Sequence, residues 1–139
     1  LADHTRQTLR LLKDNGIDVK WVQVGNETTH GFLWPMGRFE ENPVNYASLT
    51  KAGIKAVREV YPEAEVIIHL DNGFDQGLYD RVFDSLKSNG VEWDTIGISV
   101  YPYWAPEWNA EDDYRLGAFS RNMPTVIMDA FKEAASSAR

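Results

Sequence analysis

Three short apolar runs set apart by helical stretches constrain this chain more than anything else in it. Val19 to Val24, Glu65 to Leu70 and Asp94 to Val100 read as strands, the first of them as a buried one. Around them apolar residues recur at helical spacing. Leu9 and Leu12, with Thr5 on the same face, predict a helix capped by Asp3-His4-Thr5 and ended by Asn15-Gly16. Leu49, Gly53, Ile54 and Val57 predict a second helix from about Asn45 to Val60, closed by Tyr61-Pro62. Leu78, Val82, Phe83 and Leu86 predict a third over roughly Gln76 to Ser88, stopped at Asn89-Gly90. Val126-Ile127-Met128 fits a strand, but Ile127, Phe131 and Ala134 form a helical stripe and alanines follow, so the tail is read as helix. The order α-β-α-β-α-β-α implies an α/β protein with a parallel sheet and right-handed crossovers.

That topology gives the strand ends a meaning. Gly25-Asn26-Glu27, Asp71-Asn72-Gly73 and Ser99-Val100-Tyr101-Pro102 each fall where a strand stops. In an α/β barrel or a doubly wound sheet, the C-terminal edge is where active sites are built. No glycine-rich phosphate fingerprint follows any strand, which weakens a nucleotide-binding reading. The net charge of −7 argues against a nucleic-acid or anionic-membrane partner. The chain has no cysteine, which removes disulfides and thiolate metal sites. No apolar run approaches the ~20 residues of a membrane span.

Glu27 is the first candidate for chemistry. A carboxyl at a strand end, shielded by Trp34 and Phe32, is expected to hold its proton above the ordinary range, because desolvation disfavours the charged form. A protonated glutamate near neutral pH is what a general acid needs to protonate a leaving oxygen. Asn26 beside it suits a sugar hydroxyl. The same pair also fits a loop salt bridge and a turn cap. Trp34, Tyr101, Tyr103, Trp104 and Trp108 lie in predicted strand-end loops and not on apolar helix faces. Aromatic rings present an apolar face to the C–H side of a sugar and a polar rim to its hydroxyls, so five of them favour a carbohydrate groove over a simple hydrophobic cover. His69 and Asp71 share one strand face if the strand persists, and could orient a hydroxyl or the acid. Further ligands at a usual spacing are lacking, so no metal and no cofactor is expected. His4 and His30 have no comparable context, and Arg38, Glu40 and Glu41 read as a solvated loop.

With these residues in place, the chain resembles glycoside hydrolase family 53, the arabinogalactan endo-β-1,4-galactanases. The resemblance rests on DHTRQTLRLLKDNGI leading into WVQVGNET, then GFLWPMG, AGIKAVREVYP, VIIHLDNG and WDTIGISVYPYW, in that order over most of residues 3–104. It implies a (β/α)8 TIM barrel and a retaining mechanism with two glutamates flanking the scissile bond. It also implies that Glu27 is the acid/base and that Asn26 contacts the sugar at the cleavage point. Trp34, His69, Asp71, Tyr101 and Trp104 match groove-lining positions. The implied substrate is β-1,4-galactan of plant cell walls, and the implied location is extracellular or periplasmic.

The chain departs from the family in length. A barrel of this kind needs roughly 250 residues, and this chain has 139. The expectation is therefore a partial (β/α)8 domain over 1–139, holding about the fourth to sixth strands with flanking helices. It would carry the acid/base and lack the nucleophile, a glutamate that ends the seventh strand in the family. Such a piece is expected to be inactive alone, and to associate with itself or with the missing part of the barrel. The alternatives are a non-catalytic carbohydrate-binding half-barrel and another β-glycanase of related fold.

Overall fold

The computed structural model describes residues 1–73 and 75–101. Helix α1 spans Ala2–Asp14, strand β1 Trp21–Gln23, helix α2 Pro43–Val60, strand β2 Glu65–Leu70, helix α3 Gln76–Ser88 and strand β3 Thr95–Ile98. A single 3-10 turn, Thr28–His30, follows β1. The predicted tail helix, together with Tyr103, Trp104 and Trp108, lies outside the described residues.

The three strands form one parallel sheet in the order β1-β2-β3. Val22 pairs with Val66, Ile68 with Ile96, and His69 with Gly97. Side chains alternate across a strand, so this register sorts the sheet into two faces. Val66, Ile68 and Leu70 are fully buried, while Glu65, Ile67 and His69 between them are not. The buried face joins Val24, with Val22, Ile96 and Ile98 packed at its margin, to Tyr46, Ile54 and Val57 of α2 and Leu78, Val82 and Leu86 of α3. The helices therefore take one face of the sheet. The other carries Trp21 and Gln23, then Glu65, Ile67 and His69, then Thr95 and Gly97.

Local signals explain the bounds. Pro43 begins α2 in the first turn, where a missing N–H costs nothing. Asp75 caps α3 by accepting from the Leu78 N–H at 2.8 Å. Helix α1 lies against α2, with Arg6 Nε donating to Glu59 at 2.6 Å and Lys13 Nζ to the Val60 carbonyl at 2.7 Å.

Two expectations are corrected. The cap proposed at Asp3-His4-Thr5 is absent: α1 starts at Ala2 after Leu1, and Asp3 pairs with Arg6 one turn on. Strand β1 is shorter than Val19 to Val24 and is not buried. Trp21 is 64% exposed and Gln23 is also exposed. β1 stands at the edge of the described sheet, and burial of a strand is decided by what lies beside it, which its own residues do not encode.

Candidate functional site

The site grows from the chain's exit from β1. Gly25 takes φ +84°, a left-handed conformation open to glycine at little cost. Two residues on, Glu27 is also left-handed, at φ 48° and ψ 52°. For a residue with a Cβ this costs about 1–2 kcal/mol, and such strain persists only where surrounding contacts hold it.

Those contacts are present. The Thr28 hydroxyl lies 2.9 Å from the buried Tyr46 hydroxyl and donates to the His69 carbonyl at 3.3 Å. Thr28 has one hydrogen to give, so Tyr46 is the donor between them. Thr29 accepts from the Asp71 N–H at 3.1 Å, and its own hydrogen goes to Asp71 Oδ1. The turn behind Glu27 is thus fastened to the end of β2 through two threonines and to α2 through Tyr46.

Glu27 then faces three groups from the neighbouring strands. Its backbone N–H donates to His69 Nδ1 at 3.4 Å. Its Oε1 accepts from the Tyr101 hydroxyl at 2.9 Å. The Ser99 hydroxyl stands beside them, 2.8 Å from His69 Nε2. Ser99 first and Tyr101 second hold the Glu27 carboxyl below the usual glutamate range, against a smaller opposing effect of burial. This overturns the expectation of a proton retained behind Trp34 and Phe32. Trp34 is 58% exposed, and Phe32 packs edge-on to Tyr46 at 5.7 Å. Two hydroxyl donors outweigh desolvation.

The other sequence-derived candidates divide. Glu27, His69 and Tyr101 meet in one cluster. Asp71 is joined to it through Thr29. Asn26 is exposed, and its Oδ1 accepts from Gln23 Nε2 at 3.0 Å. Trp34 stands in the next loop, its Nε1–H on the His30 carbonyl at 3.0 Å and its ring 4.7 Å from the Arg38 guanidinium. Arg38 pairs in turn with Glu40 and Glu41, and Glu40 with His30, so the charged loop is an exposed network. Trp104 lies outside the described residues. Ser99 was not singled out from the sequence, although it sits in the SVYP run after β3. Its alternation with Gly97 on the open face of the sheet was the signal that could have found it.

An open cleft of about 320 Å³ lies at the opposite, N-terminal edge of the strands, lined by Lys13, Asp18, Lys20, Tyr61 and Glu63 among others. It is remote from this cluster. Among the described residues no three His, Asp or Glu side chains stand together as metal ligands, and no helix is long and apolar enough to cross a membrane.

Comparison with known proteins places the chain in a family. The model of glycosyl hydrolase family 53 matches residues 1–128. An uncharacterised protein of Niallia circulans is 39% identical over 111 residues, covering 75% of this chain and 30% of its own length. A probable arabinogalactan endo-β-1,4-galactanase A of Neosartorya fischeri is 34% identical over 111 residues, covering 75% and 31%. Among solved structures, the Ignisphaera aggregans GH53 catalytic domain superposes with a TM-score of 0.70 at 37% identity, covering 74% of this chain and 28% of that one. The chain thus spans about a third of the length of these relatives. Its three parallel strands and flanking helices are part of a (β/α)8 barrel.

Proposed function

We propose that this chain, which belongs to glycosyl hydrolase family 53, is the portion of an endo-β-1,4-galactanase that carries its proton donor, Glu27. One observation carries the reading. Just past β1, the Glu27 carboxylate accepts from the Tyr101 hydroxyl beyond β3 while its backbone N–H meets the imidazole of β2, at the edge where barrel enzymes work.

The chemistry is a double displacement. As the glycosidic C–O bond breaks, Glu27 gives its proton to the leaving oxygen while a second carboxylate bonds to the anomeric carbon. In the second step Glu27 takes a proton from water, the water oxygen bonds to that carbon, and the second carboxylate departs. The configuration is retained. Ser99 and Tyr101 favour the ionised form of Glu27, which suits the second step. For the first step Glu27 keeps its proton because the ionised second carboxylate, ~5–5.5 Å away in retaining enzymes, raises its pKa by like-charge repulsion.

Asp71 is not assigned that part, because Thr29 engages both its Oδ1 and its N–H. The second carboxylate belongs to a part of the barrel beyond these strands, and residues 1–139 form a partial domain that is inactive alone. Asn26, Trp34, Tyr101 and Trp104 are assigned to the sugar, with Trp34 offering an exposed ring for a C–H face. A polymeric substrate fits an extracellular or periplasmic enzyme.

The test uses the full-length parent on β-1,4-galactan and on β-glucan. Galactan cleavage with retention, and loss of about 10²–10⁴ in turnover for Glu27→Gln, are expected. The loss should shrink on an aryl galactoside whose leaving group needs no proton. Equal turnover of wild type and Glu27→Gln on galactan would remove Glu27 from the mechanism.

A further inference from the structure

The loop that follows the 3-10 turn is built to hold one side chain still. Its two limbs are tied together. Gly31 and Arg38 form an antiparallel bridge, the Phe32 N–H donates to the Gly37 carbonyl at 3.1 Å, and the Phe39 N–H donates to the His30 carbonyl at 3.1 Å. A Cβ on Gly31 would overlap the Gly37 carbonyl oxygen, so the limbs approach as closely as glycine allows. At the base, Phe32 and Phe39 each meet the buried Tyr46 ring edge-on at 5.7 Å. At the tip, Asn45 Nδ2 donates to the Met36 carbonyl at 2.7 Å and joins the loop to α2.

Trp34 stands at that tip, more than half exposed. Its Nε1–H on the His30 carbonyl at 3.0 Å pins one edge of the indole. The Arg38 guanidinium lies over the ring, 4.7 Å from its centroid, within the range of a cation–π contact. Arg38 is held in its turn: Nη1 donates to Glu41 Oε1 at 2.9 Å, and Nε faces Glu40 Oε2 at 3.6 Å. Glu40 is engaged by His30 Nδ1. At 3.6 Å the Nε contact is too long for a hydrogen bond, and that atom is withheld from solvent. A guanidinium that is only partly hydrogen-bonded gains from staying on the π face of the indole.

We propose that Arg38 is a positioning residue for the sugar-binding face of Trp34: the guanidinium takes one side of the indole and leaves the other, already oriented, to a galactosyl unit of the polymer. The proposal rests on the assignment of Trp34 to the sugar. Arg38 acts through the ring and not on the sugar. An exposed tryptophan free to turn loses that freedom when a sugar stacks on it, whereas a ring held at its edge and on one face has little left to lose. Glu40 and Glu41 offset the guanidinium charge, so the loop does not present the free cation that an acidic sugar would seek.

The experiment measures kcat and KM of the full-length parent on β-1,4-galactan, with thermal unfolding of each variant followed alongside. Arg38→Ala should raise KM by about two- to tenfold, the effect expected from freeing one immobilised side chain, with kcat changed less than KM. Arg38→Lys puts a cation back over the ring and should bring KM within about twofold of wild type. Trp34→Ala should raise KM by itself. Adding Arg38→Ala to Trp34→Ala should raise it no further, because the ring through which the arginine acts is gone.

A KM raised by Trp34→Ala and unmoved by Arg38→Ala overturns the positioning role and leaves Trp34 on the sugar, whether or not the unfolding temperature falls. An Arg38→Ala effect that persists undiminished in the Trp34→Ala background overturns it too, since the arginine then acts without the ring. A KM unmoved by Trp34→Ala overturns the underlying reading of Trp34 instead. If Arg38→Ala does not fold, Arg38→Gln keeps a donor for Glu41 and removes the cation: it must raise KM, and Arg38→Lys must not.

Discussion

The Tyr101 hydroxyl donates to Glu27 Oε1 at 2.9 Å across a sequence separation of 74 residues. Two outer strands of the sheet thereby meet over the middle one, with His69 between them. Tyr101→Phe keeps the ring and deletes the donor, so the Glu27 carboxyl should titrate higher than in the parent, toward the ordinary glutamate range. Carboxyl-carbon NMR of a chain labelled at glutamate reads this directly. An unchanged Glu27 titration in Tyr101→Phe would show that the bond is not made in solution.

The buried pair Thr28–Tyr46 predicts a coupling. Tyr46 has no exposed surface, and burial pushes its phenol above the usual range. Thr28→Val keeps the shape and leaves that hydroxyl without its 2.9 Å partner, at a cost of about 1–3 kcal/mol. Tyr46→Phe alone leaves the threonine its bond to the His69 carbonyl and should cost less. The double variant should be more stable than the sum of the two losses predicts, because no orphaned hydroxyl remains. Urea unfolding of the four proteins gives the cycle, and strict additivity would refute the pairing.

Gly25 allows neither a side chain nor an ordinary φ. A Cβ there would lie 2.4 Å from Thr28 Cγ2, and φ is +84°. Gly25→Ala should destabilise the fold by about 1–3 kcal/mol and displace Glu27, which lies two residues on. Activity in the parent should fall at temperatures where the variant is still folded. Wild-type turnover with a lowered unfolding temperature would mean that the turn serves stability alone.

How much of this was legible in the sequence depends on where the deciding contacts come from. Strand β2 was read to the residue, because Val66-Ile67-Ile68 is a β-branched run between a proline turn and Asp71-Asn72-Gly73. Helix α3 was equally clear, since its stop at Asn89-Gly90 is local. The burial of β1 was misjudged because it depends on neighbouring strands. Glu27 was located correctly at the strand edge, but its ionisation was misjudged in direction. Trp34 and Phe32 were visible as sequence neighbours, whereas the hydroxyls that control the carboxyl arrive from β3, some seventy residues later.

The carboxylates set the acid limit of the fold. Glu27 is lowered by Ser99 and Tyr101, Glu40 by His30, and Glu59 by Arg6. For Asp94 burial opposes ionisation, but the Val66 N–H at 2.6 Å and the Arg58 guanidinium outweigh it. Each folded pKa lies below its unfolded value, so the stabilisation is fully present above the unfolded value and is lost as pH falls through the folded one. The unfolding midpoint should be level above about pH 5 and fall steadily below about pH 4. Asp94→Asn should flatten that fall, because it removes a charge that joins the start of β3 to α2 and β2. An equally steep acid limb in the variant would exclude Asp94 from it.

Strand β1 is hydrogen-bonded on one side only among the described residues, and its first residue, Trp21, is 64% exposed on the face shared with Ile67. An indole on an open sheet face beside an unpaired edge invites a second surface, because apolar burial contributes about 25 cal/mol per Å² and the edge offers a row of free N–H and C=O groups. Produced as 139 residues, the protein should therefore self-associate in a concentration-dependent way at micromolar levels. Trp21→Lys should shift that equilibrium toward monomer by removing the apolar contact and adding charge at the edge, while leaving the helix-covered core and its far-ultraviolet signal unchanged. Sedimentation velocity over a tenfold concentration range distinguishes the cases. A wild-type chain that stays monomeric throughout would mean that the open face is satisfied within the chain itself.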